Sequence, residues 1–271
     1  MNILEILVCP VCGQPLNKNQ HTFCCEANHC YDIAKEGYVN LLSAHKSGDN
    51  VGDNKDMARS RRDFLSKGFY ISLANAVKDC LAKYTSNGDN VLDICCGEGY
   101  YTAHLADELN RNYYGFDISK NMIKLAAKRK CNAEFFVANI ANIPVKTGSV
   151  DFAFHLFAPF HSKEFSRILS DKGVLVSAIP GSEHLLEIKK VLYEKPYLND
   201  EGEPESEGLQ LVDRIRVKTK INLDSSEDIM ALFKMTPYYY HTPSGGMAKL
   251  EELRKLETTI EFVLLIYKKE L

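Results

Sequence analysis

The stretch Asn90-Val91-Leu92-Asp93-Ile94-Cys95-Cys96-Gly97-Glu98-Gly99 decides the fold. Its first half is a short apolar run, which reads as a buried strand. Its second half is a turn carrying Gly97 and Gly99, and apolar residues at helical spacing resume at Tyr101, Leu105 and Leu109. Strand, glycine turn and helix together place helix N–H groups at a crevice outside the strand's carboxyl end. Glycines there let the backbone approach a ligand.

Working outward, Tyr113–Asp117, Phe135–Ala138, Val150–Phe154 and Gly173–Ala178 read as further strands, with a helix over Lys120–Lys130. Upstream, Phe64, Leu65, Phe69, Leu73, Ala76, Val77, Cys80 and Leu81 recur at helical spacing. After Pro180 the pattern gives a helix at His184–Leu192, a strand at Leu209–Ile221, a helix at Ser226–Lys234 and a last strand at Ile260–Tyr267. Strands alternating with helices of this length imply an α/β domain, a parallel sheet with helices on both faces.

A dinucleotide site wants G-x-G-x-x-G, and only Gly97 and Gly99 stand in that frame. The nucleoside methyl donor S-adenosylmethionine (AdoMet) uses a related D-x-G-x-G-x-G turn, written here Asp93-x-Cys95-x-Gly97-x-Gly99. Asp117 lies 18 residues after Gly99, at the end of the next strand, where a carboxylate accepts both ribose hydroxyls. The bland alternative is that Asp117 or Ser119 caps the following helix. Asn139, ending the third strand, is placed for the adenine edge.

Length and composition bound the rest. The 271 residues, 25% charged and 45% hydrophobic, suit one large globular domain plus a small module. A net charge of −3 excludes a polycationic tail, so any nucleic-acid contact needs a local patch. No apolar run reaches the ~18 residues of a membrane helix. The N-terminus lacks a cationic n-region, and Glu5 interrupts its apolar run, so it reads as mature protein. Of the 9 cysteines, Cys9, Cys12, Cys24, Cys25 and Cys30 fall in the first 30 residues. That skew suits a metal site in a reduced cytoplasm better than a disulfide framework.

The metal pattern is Cys9-x2-Cys12-x12-Cys25-x3-His29. Zn²⁺ takes four N/S ligands in a tetrahedron, which two turns brought together by a hairpin supply. A module this small has too little core to fold alone, so the metal contributes folding free energy. His21, Cys24 and Cys30 are adjacent alternatives, and Cys25 with Cys30 would make a four-cysteine site. The expected division is a zinc ribbon at 1–42, a polar linker at 43–56 and the α/β domain at 57–271.

At this point the chain resembles the bacterial 23S rRNA guanine-N1 methyltransferases, a family that includes a tylosin-resistance enzyme and so a link to macrolide resistance. The carrying residues are the metal motif, then Ala34-Lys35-Glu36-Gly37-Tyr38-Val39-Asn40-Leu41-Leu42, then Arg61-Arg62-x-Phe64-Leu65 with Gly68 and Tyr70. Val91-Leu92-Asp93, Cys96–Thr102, Ala158-Pro159, Pro180-Gly181, His184-Leu185 and Met235-Thr236-Pro237 extend it. The resemblance implies a Rossmann-like AdoMet-dependent methyltransferase with a seven-stranded sheet, its last strand antiparallel. It implies methylation of N1 of one guanine in a 23S rRNA hairpin, docked by the zinc module, in a cytoplasmic homodimer. It puts AdoMet contacts at Tyr70, Gly97, Glu98 and His184, and zinc on Cys9, Cys12, Cys25 and His29. The family's first motif glycine is Cys95 here, and a β-carbon there narrows the methionine pocket if the backbone needs positive φ.

Guanine N1 lies on the Watson–Crick edge, so the base must be unpaired or extruded. Phe157 or Phe160, after the fourth strand, is the expected stacking partner, against a reading of both as core packing. His155, His161 and His184 are base candidates, none assigned. Arg61 and Arg62 belong to a basic run next to Tyr70 that suits phosphate contact. The cations at 120, 124, 128, 129 and 130 read as a solvated outer face.

Overall fold

The computed structural model describes residues 3–42, 55–106, 109–242 and 244–270. The expected linker therefore lies outside the described residues, except for Lys55 and Asp56.

The N-terminal segment opens with a 3₁₀ turn at Ile3–Glu5 and continues as β1 (Asn17–Asn19), β2 (Thr22–Cys24), β3 (Cys30–Asp32) and β4 (Val39–Asn40). Then come α1 (Lys55–Ser66), α2 (Ile71–Tyr84), β5 (Asn90–Ile94), α3 (Tyr100–Ala106), β6 (Asn112–Asp117), α4 (Lys120–Ala126) and β7 (Ala133–Val137). β8 (Val150–Leu156), α5 (Ser162–Ile168), β9 (Leu169–Pro180), α6 (Leu186–Leu192) and β10 (Leu209–Leu223) follow. The chain closes with α7 (Ser226–Lys234), α8 (Tyr238–His241), α9 (Ser244–Glu251) and β11 (Leu256–Lys269).

The main sheet runs β10-β11-β9-β8-β5-β6-β7-β4. The last strand, β11, enters antiparallel to both neighbours, while the other pairs are parallel. Seven of these strands are the expected ones. The eighth, β4, is two residues from the Ala34–Leu42 string, added parallel to the edge of β7.

Strand alternation sorts side chains onto two faces. Val91, Tyr113, Phe152, Val174 and Phe262 share one apolar cluster with α2, α3, α6 and α7. Leu92, Tyr114, Ala153, Leu175 and Val263 belong to the other. That second face is covered by α5 and by the N-terminal segment, through Ile3, Ile6, Leu7, Leu16 and Phe23. The 1–42 segment thus supplies both a strand and an apolar layer to the sheet.

Two helices end earlier than their sequence pattern. Gly68, at φ +80°, breaks the helical run between α1 and α2. α4 stops at Ala126, and residues 127–129 turn away, so Lys128 and Lys130 lie beyond the helix rather than on it.

Candidate functional site

The glycine turn sits between β5 and α3, at the point where the strand order reverses between β6 and β8. This is where open α/β sheets leave a crevice. A cavity of about 520 Å³ occupies it. Asp93, Cys95, Gly97 and Glu98 line it from the turn, Asp117 from β6, Phe157 from the end of β8, and Tyr70 and His184 from flanking segments.

Gly97 adopts φ +56° and Gly99 φ +77°. A β-carbon at Gly97 would meet nothing within 4 Å, because the position faces open space. At Gly99 a β-carbon would come within 3.0 Å of Ala126 Cβ, so this glycine serves helix packing and does not line the cavity. Cys95 is held at φ +60°, so a cysteine occupies a left-handed position that favours glycine. Burial pushes its thiol pKa up, and Asp117 and Asp93 add to the effect.

Asp117 accepts the Gly97 N–H at 3.0 Å and the Ser119 N–H at 2.8 Å. Ser119, not Asp117, caps α4, accepting from the Met122 N–H. Glu98 is buried; Arg129 Nε donates to its carboxylate and to its backbone oxygen, both at 2.8 Å. Its other oxygen, Oε1, has no hydrogen-bond partner among the described residues. Burial raises the Glu98 pKa against the pull of Arg129, Arg61 and Arg62. Asp93, wholly enclosed, is pushed up to about 8 by burial, although Thr102 donates to it at 2.5 Å.

His184 is buried, and burial lowers its pKa to about 3. Its Nδ1 accepts the Glu261 N–H at 3.3 Å, so the neutral ring carries its proton on Nε2. Glu261, itself buried, accepts the Glu183 N–H at 2.7 Å and Arg216 at 2.8 Å, which fixes the loop bearing His184. Glu261 sits mid-strand in β11, and sequence alone gave no reason to single it out.

Besides Gly99, five sequence-derived candidates do not line the cavity, and one of them is His161, which stands at the start of α5. Asn139 lies two residues past the end of β7 and accepts the Ala141 N–H of its own loop at 3.0 Å. Phe160 packs edge-on against Phe165, with ring centroids 5.1 Å apart, and is core packing. Arg62 pairs with its neighbour Asp63 at 2.8 Å, whereas Arg61 lines the cavity. His155 is enclosed, with Nδ1 at Ser177 Oγ (3.3 Å) and Nε2 at the Pro159 carbonyl (3.0 Å). Phe157, by contrast, is 49% exposed at φ +64° and lines the cavity. Met235, Pro237, Tyr238 and Phe262 also line it; only Met235 and Pro237 had a motif to mark them.

In the N-terminal segment, the ligand atoms of Cys9, Cys12, Cys25 and His29 all lie within 4.8 Å of one another. Cys12 and Cys25 Sγ are 3.6 Å apart, and His29 Nδ1 lies 3.4 Å from Cys25 Sγ and 3.6 Å from Cys9 Sγ. Zn–S bonds of about 2.3 Å in a tetrahedron give S···S separations near ~3.8 Å. The donor set and spacing therefore fit zinc. Burial raises the Cys9 thiol pKa, but the Tyr31 hydroxyl and backbone amides outweigh it and bring the pKa to about 6. Cys24 and Cys30 face each other across β2 and β3 and are joined by a disulfide. This removes both as alternative ligands and corrects the expectation of reduced cysteines for this one pair, while Cys9, Cys12 and Cys25 stay free. The hairpin register, which cysteine spacing does not reveal, is the reason.

Two families match. Residues 7–48 match the one described as "RlmA, N-terminal", and residues 91–172 match "Methyltransferase domain". Fold and site thus define an AdoMet-dependent methyltransferase carrying an N-terminal zinc ribbon. The chain is 28% identical over 259 residues to the 23S rRNA (guanine(748)-N(1))-methyltransferase of Streptomyces fradiae, covering 92% of this chain and 90% of that one. It is 31% identical over 207 residues to a candidate 23S rRNA (guanine-N(1)-)-methyltransferase of Micromonospora griseorubida, covering 69% and 70%. A similarly named Bacillus subtilis protein is 27% identical over 274 residues, covering 95% of each chain. The chain belongs to the 23S rRNA (guanine-N1)-methyltransferase family. Among the described residues, no helix is long and apolar enough to cross a membrane.

Proposed function

We propose that this chain methylates N1 of one guanine in a 23S rRNA hairpin, with AdoMet as donor and the N-terminal zinc module docking the RNA. The observation that carries the reading is one cavity with the glycine turn on one wall and the exposed ring of Phe157 on another. Its volume of about 520 Å³ lies within the usual range for small-ligand sites, ~300–1,000 Å³.

In this reading the Gly97 backbone, Glu98, Asp117, Tyr70 and His184 form the donor subsite. The Asp117 carboxylate suits ribose hydroxyls, and the unpartnered Glu98 Oε1 is an acceptor awaiting a donor. His184 offers Nε2–H as a fixed donor and stays neutral near pH 7. Gly99 acts through packing. When bound, AdoMet supplies an electrophilic sulfonium methyl group. The chain's part is alignment: Phe157 stacks on the extruded base, while Tyr70, Leu156 and Phe262 exclude water. No side chain is assigned to the N1 proton. The ring of His184 is too weak a base, and both nitrogens of His155 are engaged. Cys9, Cys12, Cys25 and His29 would hold zinc with four protein ligands, as structural sites do. The cytoplasm follows from the rRNA substrate, and a homodimer from the family resemblance.

The test is labelled-methyl transfer from AdoMet to 23S rRNA from a strain lacking this chain, with the base mapped by reverse-transcription stop. One new stop at a guanine is expected. Transfer to small acceptors with none to rRNA would sink the reading.

A further inference from the structure

Clusters of cations on this chain differ in whether carboxylates answer them. Along β10, Arg214, Arg216, Lys218 and Lys220 pair with Glu203, Glu201, Glu183 and Glu257, and Glu261 adds to the central two. That face is neutralised internally. Residues 120–131 hold five cations and no acid. Lys120, Lys128 and Lys130 are exposed and make no ion pair among the described residues. Lys124 reaches Glu36 of the Ala34–Leu42 string at 3.5 Å and so is already paired.

The turn that carries Lys128 and Lys130 reaches the cavity wall through the residue between them. Arg129 turns inward to the cavity-lining Glu98. α4 packs against α1, which carries Arg61. Arg61 of α1 lines the same wall as Glu98, so a cation from α1 and one from the turn after α4 meet there.

We propose that Lys120, Lys128 and Lys130 form a track for the phosphates of the RNA flanking the extruded base. The inference rests on the rRNA reading above and reverses the assignment of these lysines to an inert outer face. Binding to polyanions gains from counterion release, and only cations not already paired within the protein add to it. By that criterion α4 and the turn after it qualify, and β10 does not. The track's position beside the cavity wall lets one strand place its base inside while its backbone meets the lysines.

The test uses the full-length protein and a transcript of the 23S rRNA hairpin that it methylates. Lys120→Gln, Lys128→Gln and Lys130→Gln are combined in one variant. Arg214→Gln, Lys218→Gln and Lys220→Gln, combined in a second, give the same change in net charge. Each phosphate contact contributes about 0.7–0.9 to the slope of log affinity against log salt. The first variant is expected to lose about two units of slope, with AdoMet affinity and melting temperature unchanged. The second is expected to keep the wild-type slope. Equal slopes in the two variants, or unchanged RNA affinity in the first, would overturn the track while leaving the methylation reading intact. Wild-type protein that methylates no rRNA would overturn both. Binding to vesicles of phosphatidylserine and phosphatidylcholine that the first variant loses, with RNA binding retained, would overturn the track in favour of a membrane surface.

Discussion

Removing the metal should destabilise the whole chain, not only its first 42 residues. Ile3, Ile6, Leu7, Leu16 and Phe23 are each at most 6% exposed and belong to one cluster with Leu92, Ile94, Phe116 and Phe136. Burying such a side chain is worth ~1.5–3 kcal/mol, so the five contribute about 7–15 kcal/mol of gross hydrophobic stabilisation. A domain's net stability is only ~5–15 kcal/mol. Cys9 and Cys25 belong to the same cluster, so losing the metal leaves thiols that no longer pin these side chains onto the sheet. Forfeiting even a third of the gross term, about 3–5 kcal/mol, lowers the melting temperature by roughly 10 °C in a chain this size. Calorimetry of the zinc-loaded and chelator-treated protein, with hydrogen exchange on β5 and β6, measures this. One cooperative transition should move down, with β5 and β6 losing protection together. A small early transition followed by an unchanged main one would refute the reasoning, since it would mean a ribbon tethered to an independent domain.

Three further outcomes are expected. Cys95→Gly relieves left-handed strain of about 1–2 kcal/mol against about 0.5–1 kcal/mol of added chain entropy. The variant should melt no lower than wild type and bind AdoMet more tightly by titration calorimetry; weaker binding would mean that the thiol makes a favourable contact. Phe157→Ala removes a base-stacking partner worth about 1–3 kcal/mol. RNA affinity should fall at least fivefold with AdoMet affinity and melting temperature unchanged, and an unaltered RNA dissociation constant would rule out stacking. Burial lowers the His155 pKa to about 4, so the folded protein holds this ring neutral while the unfolded chain protonates it near 6.5. Its contribution is therefore present above pH 6.5 and is lost as pH falls, at about 1.4 kcal/mol per pH unit. Urea unfolding at pH 6.5 and 5.0 should show wild type losing ground to His155→Gln over that interval, and a constant difference would exclude the linkage.

Much of this was legible because local pattern and burial agree. The β5 run and its glycine turn lie where the periodicity put them, and α7 begins at Ser226, which follows the capping Ser225. The misses are of another kind. β4 has two residues, too few for any period to register, and exists only because β7 offers an edge. Asn139 follows from carrying the strand past its end; the ladder stops at Val137, and the side chain turns to its own loop. Phe157 and Phe160 are chemically identical in sequence. What separates them is a left-handed backbone at Phe157, which directs one ring to the cavity and leaves the other in the core.

That backbone choice fits a wider distribution of strain. The non-glycine residues at positive φ among the described residues are Gln20, Asn28, Cys95, Phe157 and Leu185. Asn28 lies between Cys25 and His29, in the second metal-binding turn. Cys95 follows β5, Phe157 follows β8, and Leu185 follows His184 just before α6. Only Gln20, in a hairpin turn, has no such neighbour. Each such position costs about 1–3 kcal/mol and persists where surrounding structure over-determines it. Chain reversal alone does not require it, since glycine would serve at lower cost, as it does at Gly68. A side chain kept at such a position points somewhere its backbone would otherwise not send it. At Cys95 and Phe157 that direction is the cavity, while Asn28 and Leu185 each adjoin a histidine in sequence, His29 and His184. The strain therefore gathers around the cavity and the metal-binding turn, and at Cys95 it is a cost that the Cys95→Gly variant lifts.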